Sequence, residues 1–565
     1  MIGVVIAAAL FYLPGRPTGP SGPAGPVTGG ELVASFRSEP KSFNRHFQSA
    51  AAEELFSRLT TARLLRLNRA TDEFEPRLAE RWSLADDGLT YTFELRQNVR
   101  FSDGEPFTSA DVVFSFRAVY DEAAASALAA EFKVAGQPLD VSAPDAHTVV
   151  IRFPSPYGPG LRILDGLPIL PRHKLEAALD EGRFREAWGT TTPPSEMAGL
   201  GPFVLAEFTP GQRLVLTRNP NFWVRDADGT QLPYLDRLVV ETVADQNAEV
   251  LRLEAGQIDL MTSEARPEDI AAFRTAADAG RLQLVDVGVG RDPNLMWINL
   301  RPEAKLADHR RAWLQSEDFR KAVSHAVDRD VFVNTVYLGA AVPLFGPVTP
   351  GFGSWYVPDL PAYAFDRDQA RSLLAGLGLA DRDGNGVLDD RAGAPVRFSL
   401  ITQQGADARE RGAAVIQDQL RQVGIAVDVV GLDQGTIIAR YGPGDFDAIY
   451  FGTDVSDPDP SLMSAFWLSS GHFHFWNPAQ AKPATEWEGR IDDLMGRLAT
   501  SIDDGERHRL FAEVQRIFAE HVPALYFAAP RVYVAMSARV RNAQPGVGRP
   551  QVLWNAEVLA VKEGG

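Results

Sequence analysis

TYTFELRQNVRFSDGEPFTSADVVF, residues 90–114, reads as a strand, a turn and a helix. Tyr91, Phe93 and Leu95 alternate with Thr92, Glu94 and Arg96, the two-residue period of a strand with one buried face. Asp103-Gly104 is turn chemistry. Thr108 and Asp111 have the spacing of a reciprocal helix cap. Val112, Val113, Phe116, Val119 and Tyr120 then fall on one helical face. On these grounds the stretch is a scaffold element.

The surrounding chain repeats the same alternation. Strands are expected at Glu31 to Phe36, His147 to Phe153, Gly201 to Leu205, Leu214 to Thr217 and Pro233 to Glu241. Ala248 to Glu254 reads as a helix closed by Gly256, with Ile258 to Met261 extended behind it. A break follows near Val289 to Pro293. Beyond it, helices are expected at Glu317 to Asp328, Asp366 to Gly376, Ala408 to Val423 and Asp503 to His521, with strands at Ile425 to Val430 and Ala448 to Phe451. The chain therefore reads as two α/β blocks without an internal repeat.

With 565 residues, 45% of them hydrophobic, the chain exceeds what one compact core supports, so two or three domains are expected. Its net charge of −18 argues against nucleic acid as a partner, because phosphate backbones call for clustered Lys and Arg. There is no cysteine, which excludes disulfides, thiolate catalysis, Cys-ligated metals and a lipidated cysteine anchor. Met1 to Leu13 is nearly all apolar, the size of a signal-peptide core, although no Lys or Arg precedes it. Pro14 to Gly30 is a Pro- and Gly-rich linker. Residues 1–30 are thus expected to be an export segment and tether. The folded body begins at about residue 31.

The wording of several segments is specific. DGLTYTFELRQNVRFSDGEPFTSADVVFSF (residues 87–116), GPFVLAEF (201–208), LTRNPNFW (216–223), FRKAVSHAVDRDVFVNTVYLGAA (319–341) and RHRLFAEVQRIFAEHVPALYF (507–527) resemble the family 5 extracellular solute-binding proteins. These serve peptide, nickel and opine ABC importers. The resemblance runs from about residue 31 to 560. It implies an α/β fold of the large periplasmic-binding-protein type: two lobes with a hinge, and an extra subdomain in lobe 1. Lobe 1 would span residues 31–290, with the subdomain at about 51–185. Lobe 2 would span 291–522, and 523–565 would return to lobe 1. It also implies a monomer outside the cytoplasmic membrane, periplasmic or tethered by its N-terminal segment. The partners would be a small-molecule or peptide ligand and an ABC permease, with no cofactor and no enzymatic activity. A secreted carboxylate-dependent hydrolase is the alternative.

Four residues are the ligand-binding candidates. In FGTDVSDPDP (residues 451–460) a strand runs into a loop with three carboxylates. Peptide-binding members carry an Asp at the place of Asp454, where it pairs with the ligand's ammonium group. Asp457 is a second candidate. A solvated acidic turn is the competing reading for both. Peptide binders also carry a Trp shortly before that Asp, where this chain has Tyr450-Phe451. Trp355 and Tyr356, in a Gly- and Pro-rich loop, are candidate cleft walls. Two further motifs are read as structural. His472 and His474 alternate as metal ligands can, but without nearby carboxylates or Cys. DRDGNGVLDDRA (381–392) has the spacing of a calcium loop, but ends in Ala392 where the bidentate Glu belongs. No metal site is expected.

Overall fold

The computed structural model describes residues 28–47, 50–452, 454–455, 457–562. The expected export segment and most of its linker lie outside them. Among the described residues no helix is long and apolar enough to cross a membrane.

Two large sheets organise the chain. The first has eight strands. Its path runs Phe203–Thr209, Arg213–Arg218, Arg237–Thr242, Glu31–Phe36, Leu260–Met261, Ala528–Ser537, Leu282–Val289, and Ala341–Pro343 pairs off the path with Ala528–Ser537. The second has five strands, in the order Ala426–Leu432, Arg397–Gln403, Ala448–Gly452, Asn294–Ile298, Ala524–Tyr526. Parallel pairs lie next to antiparallel ones in both sheets. Helices cover them, as a mixed sheet buried on both faces requires.

The chain passes between these sheets after Val289 and again after Tyr526, and between those points Ala341–Pro343 returns to pair with the start of Ala528–Ser537. The crossings lie side by side: the Gly290 N–H donates to the Pro530 carbonyl at 2.8 Å. A short turn braces them. The Thr349 hydroxyl donates to the Gly290 carbonyl at 2.6 Å, and the Arg291 Nε–H donates to the Gly351 carbonyl at 2.8 Å. Gly351 must lack a side chain here, since a Cβ would stand 2.2 Å from the Val289 carbonyl oxygen.

The deciding stretch builds a third, antiparallel sheet of four strands, Ala79–Leu84, Thr90–Leu95, Thr148–Arg152, Asp140–Asp145. Tyr91, Phe93 and Leu95 are buried, as the alternation requires. The helix Ser109–Tyr120 starts at the expected cap, with the Asp111 carboxylate accepting from the Thr108 N–H at 2.9 Å. Its burial is wider than one face. Val112, Phe116 and Val119 pack on the small sheet, while Phe114 and Ala118 pack into the core of the eight-stranded sheet. The helix is clamped between two cores, and a single apolar stripe under-describes it.

Candidate functional site

The strand Ala448–Gly452 ends between two polar side chains. A Cβ on Gly452 would lie 2.4 Å from Arg409 Nη2 and 2.7 Å from Asn294 Oδ1, so a side chain there would push both out of place. Arg409 donates to Asn294 Oδ1 at 3.0 Å and to Gln403, and lies 4.1 Å over the Phe451 ring. Among the described residues no carboxylate comes within ion-pairing distance of Arg409. Desolvation lowers its pKa, as expected for a cation lacking a counter-charge.

The acidic loop beyond Gly452 is a junction. The Val455 N–H donates to Asp292 Oδ1 at 2.6 Å, which ties the loop to the first crossing between the sheets. Asp454 is exposed and pairs with Arg549, from the C-terminal segment. The same guanidinium reaches Asp292 Oδ2 at 3.0 Å and Glu264 Oε1 at 3.6 Å. Gln551 donates to Glu264 at 2.6 Å. Three carboxylates thus converge on one cation, and the cluster keeps a net negative charge when all are ionised. Desolvation pushes Asp292 up to about 6, with Arg549 opposing and the like charges of Asp454 and Glu264 adding to the rise.

Asp457 turns the other way. Both its oxygens accept from Arg162 Nη1, at 3.1 and 3.2 Å. Arg162 follows the small antiparallel sheet and is steadied by Asp72 at 2.6 Å. Asp459 is fully buried, and Arg507 Nη2 lies 2.7 Å from each of its oxygens. Four short contacts therefore fix the loop between Gly452 and Pro460 against the crossing, the C-terminal segment, the small sheet and the helix Asp504–His521.

The other sequence candidates lie elsewhere. Trp355 is 6% exposed and stacks on His508 with ring centroids 4.1 Å apart, edge-on to Phe511. Tyr356 is half-buried against the same core. Neither joins the acidic cluster; an aromatic pair in a Gly- and Pro-rich loop packs a core as readily as it walls a cleft. His472 is exposed and His474 buried, so the two do not share a side. His474 meets the Phe466 carbonyl and the Glu488 carboxylate, each at 3.0 Å. In the calcium-like loop, Asp381 accepts from the Gly384 and Gly386 N–H groups at 2.8 and 3.0 Å, and Asn385 from Val387 at 2.8 Å. Those oxygens serve the loop's own backbone. Among the described residues no group of three or more His, Asp or Glu side chains is arranged to hold a metal ion.

The profile of the "Bacterial extracellular solute-binding proteins, family 5 Middle" matches residues 73–475. The chain belongs to this family. A probable ABC transporter-binding protein of Deinococcus radiodurans is 27% identical, over 93% of this chain and 90% of that protein. The oligopeptide-binding protein AppA of Bacillus subtilis is 25% identical, over 90% and 88%. Among solved structures, the substrate-binding protein CtaP of Listeria monocytogenes superposes with a TM-score of 0.77 at 20% identity, over 95% of this chain and all (100%) of that one. AppA of Bacillus subtilis, in complex with a nonapeptide, gives 0.69 at 24% identity, over 95% and 100%. These likenesses establish the two-lobe solute-binding fold for this family 5 protein, and none of them supports the hydrolase alternative.

Nothing in the sequence marked Arg549, Arg162 or Glu264 as neighbours of the acidic loop. Arg549 stands 95 positions from Asp454. Asp292, next to the expected break at Val289 to Pro293, carried the one usable signal: a carboxylate at a crossing between lobes is placed where both lobes can reach it.

Proposed function

We propose that the protein is the non-enzymatic, extracytoplasmic binding subunit of an ABC importer, and that it captures a peptide-like zwitterion between its lobes for a permease in the cytoplasmic membrane. Residues 31–290 and the chain from about Phe527 onward form one lobe and the stretch between them the other, with the crossings after Val289 and Tyr526 as the hinge; the strand Ala524–Tyr526, which the expected boundary at 523 gave to the first lobe, pairs instead with Asn294–Ile298 in the second. One observation carries the reading: three carboxylates, from the first lobe, the crossing and the second lobe, converge where a strand opens into a loop. Asp454 receives the ligand's ammonium group, which takes over the place of Arg549. Arg409, at the loop's base and without a carboxylate partner among the described residues, receives the ligand's carboxylate. Relatives named for oligopeptides and for D,D-dipeptides agree with this class. Asp457 shapes the site through Arg162 rather than by touching the ligand.

Native mass spectrometry of the gently purified protein identifies the co-purified solute, and calorimetry with that solute then tests the site. Asp454→Ala should cost about 2–5 kcal/mol of affinity, mostly as faster release. Asp454→Asn should weaken binding too, with thermal stability intact in both. Wild-type affinity in both variants would reduce Asp454 to a turn residue.

A further inference from the structure

A second charged cluster lies away from the acidic loop, where the helix Ala51–Thr60 meets the C-terminal segment. A cavity of about 50 Å³ opens there, lined by Arg58, Arg63, Arg66, Arg77 and Glu557, with Trp554 among its walls. One ordered water needs roughly 10–15 Å³ on this measure, so the space suits a few waters or one small polyatomic ion.

The cations around it are not balanced. Arg66 and Arg77 share Glu75 and Glu557, at 2.6 to 3.1 Å. Arg58 and Arg69 share Asp165, at 3.0 and 2.7 Å. Arg45 and Arg58 share Glu54, at 2.6 and 2.5 Å. Arg63 is left over. Its side chain is 5% exposed, and its nearest carboxylate oxygen, on Glu54, is 3.9 Å away. Among the described residues it donates only to neutral acceptors: the Ser57 carbonyl, the Ser57 hydroxyl and the Thr61 hydroxyl, at 3.1 to 3.2 Å. Its Nε–H has no acceptor among the described residues, and the same is true of Arg69 Nε–H and Arg45 Nη1. Among the described residues, six guanidinium groups therefore meet four carboxylates within 4.0 Å, a surplus of two positive charges, with Glu131 facing Arg45 and Asp457 facing Arg69 from farther off.

A buried cation without a counter-charge is costly, and a bound anion removes the cost. Burial, and then the neighbouring Arg58, pull Arg63 down to about 9, the direction expected where a counter-charge is wanting. An acidic protein gains nothing from such a surplus on solubility grounds, and Arg is suited to planar or tetrahedral oxyanions because its donors form a fixed fork.

We infer that this cavity is a binding site for a small oxyanion of the sulfate, phosphate or carboxylate type, held by Arg63 and Arg58 and separate from the solute cleft. Its walls come from the helix Ala51–Thr60, from Gly201-Pro202 and from the C-terminal Leu553 to Glu557. Occupancy would brace the small-sheet subdomain against the first lobe.

The test is thermal melting at constant ionic strength, with sodium chloride replaced stepwise by sodium sulfate, phosphate or acetate at millimolar concentrations. At least one of the three should raise the wild-type midpoint by a few degrees and saturate, and the one that does names the source. Arg63→Met should abolish the rise. No saturable rise with any of them, or an undiminished rise in Arg63→Met, overturns the site. Should Arg63→Met fail to fold, a selenate soak of wild-type crystals decides it. An anomalous selenium peak between Arg58 and Arg63 supports the site, and peaks at the surface alone overturn it.

Discussion

Asp459→Asn isolates charge from shape at the anchor of the acidic loop. The carboxylate is fully buried, and Arg507 Nη2 lies 2.7 Å from both of its oxygens. An amide of nearly equal size can still accept the Ser461 N–H, which Asp459 now receives at 3.0 Å. What disappears is the negative charge facing a buried guanidinium. Removing one partner of such a pair costs about 3–5 kcal/mol. The lower end applies here, because Arg507 keeps the Leu498 carbonyl at 3.3 Å, the Ser461 hydroxyl at 3.2 Å and the face of Trp355 at 5.2 Å. A loss of about 3 kcal/mol raises the population of the opened loop on the order of 100-fold. Hydrogen exchange read by mass spectrometry should show that acceleration in peptides spanning residues 455–463 and the first turns of Asp504–His521, with the eight-stranded sheet unchanged. Arg507→Met alone should do similar damage by leaving Asp459 unpaired. The double variant should fall well short of the two losses added together, since two matched neutral groups no longer strand a charge. Exchange within about threefold of wild type in Asp459→Asn, or simple additivity in the double variant, would refute the anchoring argument.

Two further outcomes follow from the same loop. Arg162→Ala removes both contacts to Asp457 and should cost the closed arrangement about 1.5–3 kcal/mol; small-angle scattering should then give a larger radius of gyration for the ligand-free protein, and an unchanged profile would mean that the pair does not hold the lobes together. Asp292 has its pKa raised from 3.8 to about 6, so the stability linked to it is fully present below pH 3.8 and is lost as pH rises through about 6. Asp292→Asn should therefore gain stability relative to wild type well above pH 6 but not below pH 3.8; an equal difference in urea denaturation at both ends would show that neighbouring Arg549 already neutralises the group.

Most of the scaffold was legible because its signals are local. The strand Thr90–Leu95 follows from alternation, and the start of Ser109–Tyr120 from a cap whose two members lie within one turn. The second crossing is short, because Ala524–Tyr526 and Ala528–Ser537 leave only Phe527 between two sheets. The strand expected from Pro233 begins only at Arg237: Pro233 has no N–H to give a ladder, and the Tyr234 and Asp236 N–H groups donate to the Glu557 and Gly30 carbonyls at 3.1 and 3.0 Å. The aromatic residues are harder to place from sequence. Hydrophobicity shows that Trp355 is buried somewhere, and only the neighbours His508 and Phe511 show that the somewhere is a core.

The site resisted reading because its meaning lies in pairs. Asp454, Asp457 and Asp459 are three near-identical letters in one loop; only the family resemblance sets Asp454 apart, and nothing local in the sequence shows which of them is sealed and which exposed. Their partners Arg549, Arg162 and Arg507 are distant in the chain and come from three different parts of the fold. Burial then sorts the three pairs by physics. At Asp459 the carboxylate is sealed and the pair is an anchor. At Asp457 the side chain is 16% exposed and the pair joins the small sheet to the loop. At Asp454 it is 76% exposed and its guanidinium is shared with two other acids. Exposed ion pairs contribute little to stability, so this is the pair that a competing cation can displace at least cost. A site that must release its internal counter-ion to admit a ligand should carry its exchangeable pair at the exposed end of the loop and its sealed pair at the other, and that gradient runs from Asp454 to Asp459.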